Sequence, residues 1–210
     1  MFDSKRSELA AAGVVLKKNT APLVDLEPEY IAVSGNKAYV ALQEANAVAV
    51  LNIDTLKFEN IFSLGFEDHS KVDIDLNKSD GEYDPKTYEN IKGIRMPDGI
   101  SIAVVNGGTY LLTANEGDSR AWPVGTETDT NEIKDKPSPI NGIKTGGKVT
   151  WFDASQYDGL EANTDYIFGG RSFTVFRITV NGLEEVFDSG SDFERITAQA
   201  IPEYFNCSND

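Results

Sequence analysis

The chain has 210 residues, and its 34 acidic against 19 basic side chains give a formal net charge of −15 at pH 7. Such a surface repels phosphate backbones and anionic membranes, which argues against nucleic-acid binding and favours cations, mineral faces and matrix proteins as partners. No apolar run approaches the roughly 20 residues of a transmembrane segment, and residues 1–18 lack the apolar stretch of a signal peptide.

The N-terminal third predicts a short helix followed by a meander of strands. Asp3 or Ser4 can cap the helix, and Gly13 can end it. The dipeptide Gly35-Asn36 is typical of a hairpin turn between the first two strands. Four short strands are expected, at 31–34, 37–43, 47–54 and 58–64. Four antiparallel strands of this size make one blade of a β-propeller.

The strand and turn pattern then recurs. From Asp98 onward, an apolar strand, a turn at 106–108 and a strand around Tyr110 repeat the order of the first unit. A third unit is predicted from 148–152, 171–180 and 182–188. We therefore expect an all-β fold, a partial β-propeller of about three blades, with an ordinary antiparallel sandwich as the alternative. Because an open propeller leaves two bare edges, we expect further sequence after Asp210.

Two polar insertions, 67–92 and 118–147, separate these units. The first is dense in Asp, Asn, Ser and Lys, and the second is rich in Thr, Asn, Lys, Pro and Gly. Neither has the apolar residues needed to pack by itself. We therefore expect both to be exposed loops that extend one face of the sheets.

The first insertion contains a candidate Ca²⁺ site. Oxygen-bearing side chains fall at alternate positions, with one more twelve places along, and such hard ligands in a flexible loop suit Ca²⁺. These side chains are Asp73, Asp75, Asn77, Ser79 and Asp84. The loop departs from an EF-hand because Lys78 stands where Gly is needed for the sharp turn. A solvated acidic loop is the alternative interpretation.

A second candidate site follows the strand around Tyr110. Asn115, Glu116, Asp118 and Arg120 come directly after this strand, so they lie at a strand end, where loops present functional groups. These side chains could bind a metal or a phosphate, or form an internal ion-pair network. Turn residues such as Asn, Gly and Asp are also common there for purely structural reasons.

A third motif is the segment FGGRSFTVF. Its two glycines, Gly169 and Gly170, permit a sharp turn or a close backbone approach before a strand. Arg171 could then point toward anionic groups, including Glu116 or Asp118. The alternative is a structural turn with an internal salt bridge.

The usual catalytic signatures are missing. His69 is the only histidine, which excludes a multi-histidine zinc site within this segment. The sequence has no GxSxG elbow, P-loop or CxxC motif, and the single Cys207 cannot form a disulfide within the chain. Asn77 and Asn206 stand in N-x-S/T sequons, which matter only in a secreted eukaryotic glycoprotein.

Four motifs also follow one another in a recognisable order. They are DLEPEYIAVSGNKAYVALQEANAVAVLNID, MPDGI, TANEGDSR, and FGGRSFTVF with the later DSGSDFE. Together, from about Phe2 to Asn209, they resemble the choice-of-anchor I family. That family includes the mesenchyme-specific cell-surface glycoproteins of biomineralising animals and many secreted bacterial proteins.

The resemblance implies a lactonase-like or quinoprotein-like β-propeller, exported and tethered to the surface or released. It implies that this chain is the N-terminal half, with the rest of the propeller as its partner. Animal relatives are associated with calcified skeletons, and some bacterial relatives carry an alkaline-phosphatase label. The resemblance marks a shared face and no established catalytic residue. That face comprises Glu29, Glu44, Asn46, Asp98, Asn115, Glu116, Asp118, Arg120 and Arg171.

The sequence therefore favours an extracellular or cell-surface binding protein over an enzyme, with acidic loops that bind Ca²⁺, a mineral surface or matrix proteins. The alternative is a metal-dependent phosphoesterase resembling alkaline phosphatase. In it, Asn115, Glu116 and Asp118 would hold the metal and Arg171 would orient the phosphate. A third reading is a scaffold that binds protein partners without a metal.

Overall fold

The structure is a computed structural model, and it describes residues 2–77, 82–120, 122–124, 127–129, 131–134, 136–145 and 149–205. These described residues include three short α-helices: α1 (Arg6–Ala11), α2 (Pro22–Asp25) and α3 (Asp192–Ala200). The strands are β1 (Leu16–Lys17), β2 (Ile31–Ser34), β3 (Lys37–Leu42), β4 (Ala47–Asn52), β5 (Lys57–Ser63), β6 (Phe66–Asp68), β7 (Ile91–Ile94), β8 (Ile100–Val105), β9 (Gly108–Asn115), β10 (Trp122–Val124), β11 (Glu127–Asp129), β12 (Glu132–Ile133), β13 (Trp151–Phe152), β14 (Tyr157–Asp158), β15 (Asp165–Phe168), β16 (Ser172–Thr179) and β17 (Gly182–Asp188). The expected all-β fold with a short N-terminal helix is confirmed.

The first sheet is the antiparallel meander β2-β3-β4-β5, with Ile31 opposite Val40. It confirms the four predicted strands to within two residues at each end. Gly35 takes a φ of +58° in the predicted turn, a conformation that glycine adopts at no steric cost. One face of this sheet packs against Leu9 of α1, which buries Val40 and Ala49.

The second antiparallel sheet has the strand order β17-β16-β9-β8. The predicted turn at 106–108 is confirmed, because Asn106 and Gly107 have φ values of +49° and +78°. The prediction that 171–188 forms a separate unit is wrong, since β16 pairs with β9 and places Val175 opposite Leu112. The long segment between β9 and β16 therefore joins two neighbouring strands of one sheet.

The third sheet is mixed, with the order β12-β13-β15-β7-β6 and a parallel pairing of β15 with β7. Both insertions contribute to it, because β6 and β7 lie in or border the first and β12 lies in the second. The expectation that 67–92 is an exposed loop is wrong. Ile74 and Leu76 are buried with Ile91, Trp151 and Ile167. Asp75, between them, is buried as well, and its carboxylate accepts hydrogen bonds from the Asn77 and Asp84 amides.

The N-terminal segment folds over the first sheet. Gly13 ends α1 with a φ of +89°, as expected, and the Val14 amide donates to the Leu9 carbonyl at 3.0 Å. The predicted cap is wrong, because a 3₁₀ turn at Asp3–Lys5 precedes α1 and makes Lys5 its N-cap residue. Asp3 Oδ1 instead accepts a hydrogen bond from the Leu23 amide at 3.0 Å.

The larger sheets remain separate in the described part of the chain, and no barrel closes among them. Two of them, β2 to β5 and β8-β9-β16-β17, have the four antiparallel strands that a propeller blade needs. Their edge strands β2 and β8 lie against each other. Of the helices in the described residues, none combines the length and apolar character that a membrane span requires.

Candidate functional site: an acidic rim at the strand ends

Acidic side chains from four separate parts of the chain meet where the first two sheets adjoin. We call this group the acidic rim; it consists of Glu27, Glu29, Glu44, Asp98, Glu116 and Asp118. Glu29 directly precedes β2, and its amide donates to the Ala41 carbonyl at 3.0 Å. Asp98 precedes β8 in the equivalent way, with its amide on the Ala114 carbonyl at 3.1 Å. Because β2 and β8 lie against each other, the carboxylates at their starts become neighbours.

Burial and neighbouring negative charges both act on two carboxyl groups of the acidic rim, Glu29 and Glu116. Burial raises the pKa of Glu29, and the negative charges of Asp98, Glu27 and Asp118 raise it further. Burial likewise raises the pKa of Glu116, followed by the charges of Asp98 and Asp118 and by a hydrogen bond with the Asp98 carboxyl group. Like charges that disfavour each other's ionised form create a site where a cation is stabilised.

Glu44 forms the floor of the acidic rim in the turn between β3 and β4. Its side chain is buried, and Glu44 Oε2 receives no hydrogen bond from the described residues. Burial raises the pKa of Glu44 to about 7, with smaller contributions from Glu27 and Glu29, while its own amide and the Arg120 guanidinium act in the opposite direction. A buried carboxyl oxygen without a donor is costly, so Glu44 retains its proton to a higher pH than an exposed glutamate.

Asn46 and Asn115, two amides of the expected shared face, have structural roles. Asn46 has a φ of +53°; its Nδ2 donates to the Gly65 carbonyl at 2.7 Å, and its Oδ1 accepts from the Met96 amide at 3.0 Å. Asn115 is buried, and its Nδ2 donates to Ser172 Oγ at 2.9 Å. Both side chains therefore join strands and lie below the acidic rim.

Arg120 lies beneath the acidic rim and is 1% exposed. Its Nε lies 3.0 Å from Asp25 Oδ1, in an ion pair between two fully buried side chains. The guanidinium also donates to the Glu44 and Val15 carbonyls, each at 3.0 Å, and lies 4.9 Å from the centre of the Tyr157 ring. It thus ties the N-terminal segment to the turn that carries Glu44.

A close backbone contact, which we call the neck, positions Glu116 and Asp118. The neck consists of Asn115–Gly117 and Gly169–Arg171, where the chain leaves and rejoins the second sheet. The Gly170 amide donates to the Asn115 carbonyl at 3.1 Å, and the Gly117 amide donates to the Met96 carbonyl at 3.1 Å. Gly117 and Gly169 have φ values of +85° and +74°. The two predicted motifs, TANEGDSR and FGGRSFTVF, therefore meet through their glycines.

Arg171 is directed away from the acidic rim. It has a φ of +51°, its Nη1 donates to the Asp75 carbonyl at 2.9 Å, and it forms an ion pair with the buried Glu194 of α3. Its partner is therefore Glu194 rather than Glu116 or Asp118. Helix α3 was not predicted from the sequence, so this pairing could not be anticipated.

The candidate Ca²⁺ ligands of the first insertion serve largely as hydrogen-bond acceptors. Asp75 Oδ1 accepts from the Asn77 amide at 2.8 Å, and Asp75 Oδ2 accepts from the Asp84 amide at 3.1 Å. Asp73 Oδ1 accepts from Ser191 Oγ at 2.6 Å, and Asp84 pairs with Lys86 at 2.5 Å. Ser79 and Lys78 lie outside the described residues. Among the described residues, no group of three or more His, Cys, Asp or Glu side chains is arranged so that it could hold a metal ion.

Sequence reasoning missed two acidic residues of this region, Asp25 and Glu27. Asp25 is the buried partner of Arg120, and Glu27 contributes to the acidic rim. Both stand in the segment DLEPEYIAV, which leads into β2. The only feature of the sequence that could have indicated these two residues is that they precede a predicted strand.

Comparison with known proteins identifies the family. The family model for the choice-of-anchor I domain matches residues 1–210. Neither the curated proteins nor the solved structures contain a match to this chain. The four motifs that suggested the family lie on the first two sheets, the neck and the segment leading into α3. The chain therefore belongs to the choice-of-anchor I family, a family of surface-associated proteins found at the cell surface or outside the cell.

Proposed function

We propose that this surface-associated domain binds divalent cations, with Ca²⁺ as the main ligand, through the acidic rim. The observation that carries the proposal is that burial and the negative charges of Asp98 and Asp118 raise the pKa of both Glu29 and Glu116. The fold holds these carboxylates together although they repel one another. A bound cation relieves that repulsion, which gives the site an affinity that scattered surface carboxylates lack.

Ca²⁺ is favoured over transition metals by the chemistry of the rim. Its side chains are all carboxylates, and Ca²⁺ accepts six to eight oxygen ligands in a flexible geometry. Because the described carboxylates are not gathered into a compact site beforehand, we expect a dissociation constant in the range of about 0.1–1 mM that is usual for extracellular modules. Bound Ca²⁺ at such a rim could then bridge to a mineral face or to acidic matrix proteins.

The phosphoesterase alternative gains no support from the arrangement of its proposed residues. The Asn115 amide is committed to Ser172 and Thr174, at 2.9 and 2.7 Å. Arg171 is committed to Glu194 and to the Asp75 carbonyl. Neither side chain is available beside Glu116 and Asp118 to hold a metal or to orient a phosphate.

Calcium titration of a rim variant tests the proposal. We expect the double variant Asp98→Asn/Glu116→Gln to lose at least tenfold in Ca²⁺ affinity by isothermal titration calorimetry, because the two carboxyl groups in mutual contact are removed. Affinity should also rise between pH 5 and pH 8, since the raised pKa values of Glu29 and Glu116 leave protons that compete with Ca²⁺. Millimolar Ca²⁺ that produces no heat with the wild-type chain would refute the proposal.

Two controls separate a specific site from net charge and from the other acidic loop. The double variant Glu8→Gln/Asp54→Asn makes the same change in net charge at exposed positions away from the rim, and it should bind like the wild type. Asp84→Asn tests the first insertion. Loss of binding in Asp84→Asn, together with normal binding in the rim variant, would assign Ca²⁺ to the Asp73–Asp84 segment instead.

A further inference from the structure

A second pair of acidic side chains meets inside the molecule, away from the acidic rim. Glu67 on β6 is 5% exposed, and the side chain of Asp188, at the end of β17, is 11% exposed. Glu67 Oε2 and Asp188 Oδ2 both approach the same guanidinium nitrogen, Nη2 of Arg95. The pair therefore links the edge strand of the mixed sheet to the edge strand of the second sheet.

One arginine, Arg95, forms ion pairs with Glu67, Asp188 and a third carboxylate. Arg95 is 4% exposed; its Nη2 lies 3.3 Å from Asp188 Oδ2 and 3.7 Å from Glu67 Oε2. Its Nη1 pairs with the half-exposed Glu185 at 2.7 Å and donates to the Leu64 carbonyl at 2.8 Å. A single guanidinium thus faces three carboxyl groups, and it cannot neutralise all of them in a buried setting.

The two carboxyl groups differ in the hydrogen-bond donors that they receive. Asp188 Oδ2 accepts from Thr174 Oγ1 at 2.5 Å, and Asp188 Oδ1 accepts from the Gly190 amide at 2.8 Å. Asp188 is therefore well provided with hydrogen-bond donors. Glu67 Oε2 is buried and receives no hydrogen bond from the described residues.

We propose that Glu67 is protonated and donates a hydrogen bond to Asp188, and that this shared proton fastens strand β6 to the end of strand β17. With the proton in place, the buried oxygen of Glu67 has a partner. Without it, two buried carboxylates face each other beside a single Arg95. The junction between the two sheets is therefore pH-sensitive.

The electrostatic surroundings agree with this assignment. Burial raises the pKa of Glu67 to about 7, and the charges of Asp188 and Glu185 raise it, whereas Arg95 opposes them. His69 follows on the same segment, and burial lowers its pKa, so it adds no opposing positive charge near neutral pH. Since the ordinary pKa of the unfolded chain is near 4.5, the stabilisation is complete below that pH and is lost as the pH rises through about 7.

Thermal unfolding as a function of pH tests this proposal. The wild-type melting temperature should fall as the pH rises from 5 to 8, and Glu67→Gln should lose at least half of that dependence, because glutamine donates to Asp188 at every pH. The exposed control Glu8→Gln should keep the wild-type profile. An identical pH profile for the wild type and Glu67→Gln would overturn the proposal.

A direct titration covers the case in which Glu67→Gln fails to fold. Carbon-13 NMR of the glutamate side-chain carboxyl groups in the wild-type protein should show a signal with a midpoint near pH 7 that is assigned to Glu67 through its neighbours in β6, beside the signal of Glu44, whose pKa is also about 7. A Glu67 midpoint near 4.5 contradicts the shared proton whatever the variant does. Glu44 is distinguished from Glu67 by its different strand neighbours.

Discussion

The variant Gly169→Ala is expected to lose on the order of 4 kcal/mol of its free energy of unfolding, measured by urea denaturation. A Cβ atom at this position would lie 2.0 Å from the Glu116 carbonyl oxygen and 2.7 Å from its carbon. Gly169 also has a φ of +74°, which costs an alanine about 1–2 kcal/mol without any clash. The neck cannot absorb the methyl group by moving a flexible side chain, because the clash is with backbone.

The matched control is Gly107→Ala, in the turn between β8 and β9. Gly107 has a similar φ of +78°, but an added Cβ would meet no atom within 4 Å. This variant therefore isolates backbone strain, and it should lose only about 1–2 kcal/mol. Equal losses in the two variants would show that the neck is not closely packed in solution.

Removal of Arg120 should lower the free energy of unfolding by about as much as Gly169→Ala does. We expect Arg120→Met to lose on the order of 3–5 kcal/mol of its free energy of unfolding, because Asp25 would become a buried charge without an opposite charge beside it. The carbonyl groups of Val15 and Glu44 would lose their donors as well. Thermal or urea denaturation of the variant measures this loss.

Two further variants distinguish the loss of the buried Arg120–Asp25 ion pair from the loss of an exposed charge. Lys71→Met removes an ion pair with Asp68 in which the lysine side chain is 78% exposed, and this should cost less than about 1 kcal/mol. Adding Asp25→Asn to Arg120→Met should restore part of the stability, since the uncompensated charge disappears. If Arg120→Met costs no more than Lys71→Met, the buried pair does not hold the N-terminal segment.

Local patterns in the sequence were sufficient to predict the strands of the first sheet. The Gly35-Asn36 turn and the alternation of apolar residues around it predicted β2 to β5 closely. Pairing between distant strands left no such signal. Nothing local to Ser172–Thr179 indicates that it pairs with β9, since that choice depends on the neck, which brings Asn115 and Gly170 together across the insertion.

The candidate site shows the same division. The family resemblance placed Glu29 and Asp98 on one face, and the structure brings them together because the strands they precede, β2 and β8, lie against each other. Arg120 was expected on that face but lies beneath it. Its partner Asp25 comes from the N-terminal segment, outside the repeat, so the repeat could not reveal the buried ion pair. Burial of a charged residue depends on such long-range partners.

The most direct test of the acidic rim is to map Ca²⁺ onto the folded chain by two-dimensional ¹H–¹⁵N NMR. We predict that amide signals of Glu29, Glu44, Asp98 and Glu116 shift progressively with added Ca²⁺, while those of the control region around Glu8 and Asp54 stay in place. Shifts confined to the Asp73–Asp84 segment, or no shifts at several millimolar Ca²⁺, would contradict the proposal that the rim is the cation-binding site.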